Sequence, residues 1–354
     1  MKRLNSVRPT EAMMVDVLAK SMPGRVYNLS AGDPDLPVCA AIREAYAALS
    51  PNDTHRYGPS AGLPELRERL WPDPAETVVA NGAKQLIYMT LAAVTRPGDE
   101  VTVIGPCWTS YLRICDILGL KTRFLVGGPE TGYVPTPEAV RAAVTPRTAA
   151  VLINNPNNPT GAVYPAEYLE GLLETVRANG TRLIADEIYR LLTDRPFYSL
   201  RGEKDTIVID GFSKALNLTG WRLGYAIGDP ELMTAVAALQ SQMSGPPSTL
   251  IQKILVRAWD GLEYAGFEEY RERIDLLCRI EKFAAARPAG GFYFYLPIAD
   301  RWESSRAMCE TLLERHAVAL TPGDDYGVER TVRVSAASES ASALAEILPV
   351  LELI

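Results

Sequence analysis

Lys214 stands in GFSKALNLTGWRLGY, residues 211–225, among small and polar neighbours, and Arg222 follows eight residues later, between Gly220, Trp221 and Gly224. A solvated lysine needs no such surroundings. Small residues here leave room for a ligand to approach both cations. Gly82-Ala83-Lys84 lies between an apolar run and a helical pattern. It is either a tight turn or a helix start whose free N–H groups hold a phosphate. Arg222 is either an ordinary ion-pair residue or a fork that grips the same phosphate through paired hydrogen bonds. Asp186 ends the run TRLIAD, where it caps the next segment or pairs with a protonated ring nitrogen. Trp108 joins the core or offers a flat face for an aromatic ring.

Each residue alone has an ordinary reading, but together they describe one ligand. It carries a phosphate, an aromatic ring with a basic nitrogen, and a carbonyl that Lys214 can capture as a Schiff base. Pyridoxal 5′-phosphate has all three, and a lysine with an acidic partner for the pyridine nitrogen is the usual protein equipment for it.

The elements that would position these residues are readable between about residues 77 and 230. ETVVAN, DEVTVIGP, KTRFLVG, AAVLINN, TRLIADE and DTIVIDGF are short and almost wholly apolar, as strands buried on both faces must be. AKQLIYMTLAAVTRPG, WTSYLRICDILGL, TPEAVRAAVT and AEYLEGLLETVRANG carry helical periodicity and stop near Gly or Pro. This alternation predicts an α/β fold with a mostly parallel sheet flanked by helices, and such sheets bind ligands at their carboxyl ends. After about residue 260, YRERIDLLCRIEKFAAA reads as one charged amphipathic helix, GGFYFYLPI as a strand, SSRAMCETLLERH as a helix and RTVRVSAA as a strand. These predict a smaller α+β domain.

The chain has 354 residues, 47% apolar and 22% charged, with a formal net charge of -7. That balance suits a well-cored globular protein and disfavours nucleic acid or an anionic membrane as the partner. Five cysteines form no CxxC pair, and there are only two histidines, His55 and His316. No metal site is expected, and the thiols read as reduced, in a cytoplasm. The basic start MKRLNSVR lacks the apolar core of a signal peptide, and Glu11 and Asp16 put charge into the next stretch as well.

Nine segments in order, LSAGDPDLP, RYGPSAGLPELR, NGAKQ, NNPNNPTG, DEIY, SKALNLTGWRLGY, GGFYFYLP, PGDDYG and VRVSAA, carry a resemblance that runs nearly end to end. The chain resembles the fold type I pyridoxal-phosphate enzymes of the class I/II aminotransferase family, the aspartate aminotransferase-like group. The resemblance implies an N-terminal arm that is also part of the small domain (residues 1–30), a large cofactor-binding domain (31–260) and a C-terminal small domain (261–354). By motif, Lys214 carries the cofactor and shuttles the proton, Asp186 keeps the pyridine nitrogen protonated, and Tyr189 and Asn158 bond the phenolic oxygen. Trp108 stacks on the ring. Gly82, the backbone of Ala83 and Lys84, Arg222, and Tyr57 from a neighbouring subunit hold the phosphate. Arg333 grips the substrate α-carboxylate near Gly32, with Asn158 and Trp108 bordering the same space; Arg330 is out of place for this.

The chain also departs from the pattern. Position 211 is glycine where some relatives place a phosphate-binding hydroxyl, which Ser213 either replaces or does not. The segment WPDPAET is short, as though a small-domain helix were cut back. The resemblance implies a homodimeric aminotransferase acting on an amino acid and a 2-oxo acid. The alternative is another reaction of the same cofactor: a β-lyase, decarboxylase, oxidase or cyclising enzyme. A cofactor-sensing regulator has no room for a DNA-binding domain before the first motif. No second arginine marks an acidic substrate side chain.

Overall fold

The computed structural model describes residues 9–354; the basic start, with the first eight residues of the expected arm, lies outside them. Thr10 caps a helix over Glu11–Ser21, its hydroxyl accepting the Met13 N–H, and β1 (Tyr27–Asn28) comes next. Seven strands then build one sheet: β2 (Thr77–Ala80), β3 (Glu100–Ile104), β4 (Lys121–Leu125), β5 (Thr148–Asn154), β6 (Arg182–Asp186), β7 (Thr206–Gly211) and β8 (Gly224–Ile227). Their order is β2-β8-β7-β6-β5-β3-β4. The neighbours from β7 to β4 are parallel, whereas β8 runs antiparallel to both β2 and β7.

The unbroken apolar character of the central strands results from burial on both faces. In β5, Ala150 and Leu152 join the core with Leu86 and Ile87 of the helix Ala83–Val94. Val151 and Ile153 join Leu169 and Leu173 of the helix Ala166–Ala178 on the other side. Each of these Val, Leu and Ile side chains, fully withdrawn from water, contributes roughly 1.5–3 kcal/mol.

Beyond the sheet come β9 (Tyr293–Pro297), β10 (Val318–Ala319), β11 (Thr321–Pro322) and β12 (Thr331–Ser335). β12 lies antiparallel between β11 and β9, while β10 pairs in parallel with β1. The core on β9 and β12 also takes in Leu29 from the N-terminal segment and Tyr189 and Leu192 from the loop after β6.

Two expectations change. YRERIDLLCRIEKFAAA is two helices, Glu268–Leu277 and Glu281–Ala285. Six residues of unbroken helix would turn Phe283 away from the face of Leu277, and the break returns both to one core. The helix Pro64–Leu70, with the 3₁₀ turn Pro74–Glu76 after it, does not belong with the C-terminal strands. Leu66 and Leu70 pack with Val79 of β2 and Leu255 of the helix Thr249–Ala258.

Candidate active site

The carboxyl ends of β2 to β7 share one edge of the sheet. Because β8 runs the other way, the residues just before it arrive at that same edge, which is how Arg222 reaches the ligand side. A cavity of about 330 Å³ opens there. Gly32, Ala83, Lys84, Trp108, Asn158, Asp186, Tyr189, Ser213, Lys214, Arg222 and Arg333 all line it, together with residues of the N-terminal helix.

Gly82 starts the helix Ala83–Val94 at φ 89°, and no side chain caps it. A Cβ at Gly82 would lie 2.8 Å from Arg222 Nη2, and one at Gly224 would lie 2.8 Å from the Ala83 nitrogen. Both glycines therefore exist at the point where the guanidinium lies against a helix start. Arg222 itself adopts the left-handed region, φ 56°, and its Nη1 donates to the Thr219 carbonyl at 2.8 Å. Free N–H groups, a helix dipole and a guanidinium converge, which is an anion cradle. Gly82 stands behind that cradle rather than on the cavity wall.

Asp186 is buried at the end of β6. Its Oδ2 accepts the Tyr111 hydroxyl at 2.6 Å and its Oδ1 the Ile188 N–H at 3.1 Å. Burial pushes its carboxyl up to about 6, against the lowering effect of those two donors. A buried carboxylate without a cation in contact suits a protonated ring nitrogen. Lys214 Nζ donates to the Gly32 carbonyl at 2.5 Å and lies 6.0 Å from the centre of the Tyr189 ring. The Tyr189 hydroxyl pairs with that of Tyr293 at 3.1 Å, and burial, with Tyr293 next in weight, raises its pKa well above the usual phenol.

Arg333, on β12, is buried between Tyr293 and Tyr326, its guanidinium carbon 4.4 and 5.0 Å from their ring centres. Nη1 donates to Asn158 Oδ1 at 3.1 Å, Nη2 to the Ser30 carbonyl, and Nε has no partner. Among the described residues no carboxylate pairs with it. A buried guanidinium lacking an anion is poised for one from outside. Arg330 is exposed and donates to the carbonyls of Trp302, Glu303 and Ala299, away from the cavity.

Several lining residues were not singled out in the sequence. Tyr111 was detectable: WTSY places it three residues after Trp108, in the first turn of the helix Ser110–Leu118, and the two rings meet edge to face at 5.5 Å. Asn154 holds the site from behind, accepting the Asn158 N–H at 2.7 Å and donating to the Asp186 carbonyl at 2.9 Å. Tyr293 lies in GGFYFYLP, but nothing in that segment says which of its rings faces the cavity. Thr10, Ala12, Met13 and Asp16 of the N-terminal region reach the cavity mouth through a long-range contact that no pattern announces. Tyr57 is 94% exposed and lies outside the cavity of its own chain.

The cradle, the cation-hungry Asp186 and the free lysine fit the three chemical handles of pyridoxal phosphate. The fold and the site thus define a fold type I pyridoxal-phosphate enzyme. The model of the aminotransferase class I and II family matches residues 25–351. The aspartate/prephenate aminotransferase of Thermus thermophilus is 34% identical over 362 residues, covering 95% of this chain and 94% of its own. The aspartate aminotransferase of Geobacillus stearothermophilus is 34% identical over 372 residues, with the same coverage. The solved Thermus thermophilus aspartate aminotransferase with maleate superposes with a TM-score of 0.91 at 34% identity, covering 99% of this chain and 98% of that one. That of Thermotoga maritima gives 0.91 at 31%, with the same coverage. The chain belongs to the class I and II aminotransferases. It is a pyridoxal-phosphate-dependent transferase of amino groups between amino acids and 2-oxo acids.

Proposed function

We propose a division of labour among the cavity residues for that transfer. Bound pyridoxal phosphate supplies an electron-withdrawing ring that stabilises negative charge at the substrate α-carbon. Lys214 Nζ would hold the cofactor covalently until the substrate amine displaces it, and the freed amine would then take the proton from the substrate α-carbon and deliver it to the cofactor's C4′. Asp186 keeps the ring nitrogen protonated, and Tyr111 holds the Asp186 carboxylate in place. Tyr189 and Asn158 bond the phenolic oxygen, and Trp108 stacks on the ring. The backbone N–H groups of Ala83 and Lys84 and the Arg222 guanidinium receive the phosphate, with Gly82 behind them leaving room for the guanidinium and Ser213 at the edge. Arg333 grips the α-carboxylate, beside Gly32. The observation that carries this reading is the convergence of Lys214, Asp186 and the anion-free Arg333 on one cavity. A panel of amino acids added to purified holoenzyme tests it. Substrates should convert the yellow form to the pyridoxamine form, read by absorbance, and release the matching 2-oxo acid. Turnover yielding only ammonia, carbon dioxide or peroxide would overturn it.

We further propose a dicarboxylic amino acid as one substrate, with Lys84 as the cation for its distal carboxylate. Lys84 Nζ sits 4.7 Å from the centre of the Trp108 ring, and burial and Arg222 both lower its pKa. No described carboxylate pairs with it. The relatives named aspartate aminotransferases, and the neighbour holding the dicarboxylate maleate, support the assignment. Lys84→Ala should lower kcat/KM for aspartate about 10–100-fold relative to alanine, as expected for a charge-assisted hydrogen bond of about 1.5–3 kcal/mol. An unchanged ratio would refute it.

Assembly as a homodimer with shared sites is part of the same proposal, supported by the exposure of Tyr57. So are a division near residues 30 and 260 and a cytoplasmic setting, which the five free thiols favour. No helix of the described residues is long and apolar enough to cross a membrane.

A further inference from the structure

Behind the wall that carries Lys214 lies a second cavity of about 120 Å³. Ile188 lines both cavities, and Gly211, Phe212 and Ala215 form part of the second one's wall. Its polar lining is dominated by Arg69, Arg190, Arg201, Asp210 and Tyr225. We propose that this cavity binds a small oxyanion, a phosphate or a carboxylate, between Arg190 and Arg201.

The lining carries more cations than free acceptors. Asp210 is 3% exposed and, among the described residues, is the only carboxylate in the lining. Its Oδ2 accepts from Arg190 Nε at 2.6 Å, from Arg201 Nη2, and from the Tyr225 hydroxyl at 2.9 Å; its Oδ1 accepts the Gly211 N–H at 2.6 Å. One carboxylate thus serves two guanidiniums and has little capacity left. Arg69 has its own partner, Asp260, at 2.5 Å. Glu187 is the next nearest acid, 3.9 Å from Arg201 Nε. Its oxygens accept from the Ser199 hydroxyl and the Leu200 N–H, each at 2.7 Å, and burial pushes its carboxyl up to about 7. Near neutral pH it supplies only part of a negative charge.

Arg201 Nε is buried without a hydrogen-bond partner. Its Nη2 is shared between Asp210 and the Tyr225 hydroxyl, and two guanidiniums on one carboxylate leave positive charge only partly offset away from water, which is costly. A monoanion in the cavity would supply the missing charge, and two planar forks match an oxyanion's geometry. The cavity is separate from the cradle at Arg222, and the inference does not depend on the transamination reading.

Calorimetry on the holoenzyme, whose cofactor keeps the first phosphate site filled, tests this. Inorganic phosphate and acetate are titrated separately near neutral pH at constant ionic strength. One saturable site per chain is expected for at least one of them, and the preferred anion distinguishes a phosphate source from a carboxylate one. Arg190→Gln and Arg201→Gln should each weaken binding at least about tenfold. Arg182→Gln, which removes a cation paired with Asp205 at the opposite end of β6, should not change it. Holoenzyme absorbance and near-ultraviolet circular dichroism check that each variant is folded. Where a cavity variant fails to fold, selenate-soaked crystals of the unaltered holoenzyme decide, through an anomalous peak between Arg190 and Arg201. No saturable site for either anion, affinity unchanged in both folded arginine variants, or a selenate peak only elsewhere overturns the proposal.

Discussion

Asp186 and Glu187 are adjacent, buried, and both pushed upward by desolvation, to about 6 and about 7. Their folded values exceed those of an unfolded chain, so each favours the folded state most when both states are protonated, below about pH 4. That contribution, on the order of 3 kcal/mol for each group, is lost as pH rises through about 6 for Asp186 and about 7 for Glu187. Cofactor-free protein should therefore show this part of its stability falling from about pH 4 to 7 in a thermal-unfolding series, and Glu187→Gln should remove the upper part of that slope. An identical slope in the variant would mean the burial is not felt. Asp186→Ala should still allow borohydride to fix the cofactor onto Lys214 while activity drops by several orders of magnitude, each 1.4 kcal/mol of barrier being about tenfold. Tyr111→Phe removes one donor from that carboxylate and should cost about tenfold in kcat. Near-normal turnover of Asp186→Ala would remove the role assigned to the acid.

Among the elements, the N-terminal helix and the loop 154–161 govern the site most directly. Asp325 Oδ2 accepts the Glu11 N–H at 3.2 Å and the Thr109 hydroxyl at 2.8 Å, so one carboxylate ties the helix start to the residue beside Trp108. Asp325→Ala should raise KM several-fold while the bound cofactor's absorbance stays unchanged; equal KM would show that this tie does not position the helix. Gly161, at φ 69°, would place a Cβ 2.3 Å from Pro288 Cβ and 2.9 Å from its Cα. Gly161→Ala should cost about 1–3 kcal/mol in denaturant unfolding, through strain and overlap together. Strands β2, β3 and β5 to β7 were legible because burial leaves an apolar run, whereas β4, expected to be buried, lies at the sheet edge and exposes Lys121, Thr122 and Arg123. β8 was not, since GYAI is four residues long and opens with a glycine required by the close approach of Ala83. Lys214, Asp186, Arg222 and Arg333 were legible because each sits in a motif. Asn154 and Tyr293 also sit in such segments, NNPNNPTG and GGFYFYLP, but their parts stayed hidden because their partners, Asp186 and Tyr189, are distant in sequence. The same holds for Arg190 and Arg201, which meet at Asp210 only after the connection between β6 and β7 folds back.

At the scale of the whole molecule, the exposed Tyr57 tests the assembly. Mixed Tyr57→Ala and Lys214→Ala subunits should recover activity that neither parent has, since one site of each heterodimer regains both native residues. Verified heterodimers without recovery would exclude supply of Tyr57 across the interface. The pairing of β1 with β10 has a further consequence, for the order of events on the ribosome. Tyr27 faces Val318, so one of the earliest segments to emerge waits for one of the latest. At about 5–20 residues per second, that interval is roughly a quarter of a minute to a minute. The helix bordering the cavity mouth is thus made well before the strands on which it docks. Nascent chains arrested between residues 260 and 317 should remain protease-sensitive across Glu11–Ser21 while their central strands resist cleavage.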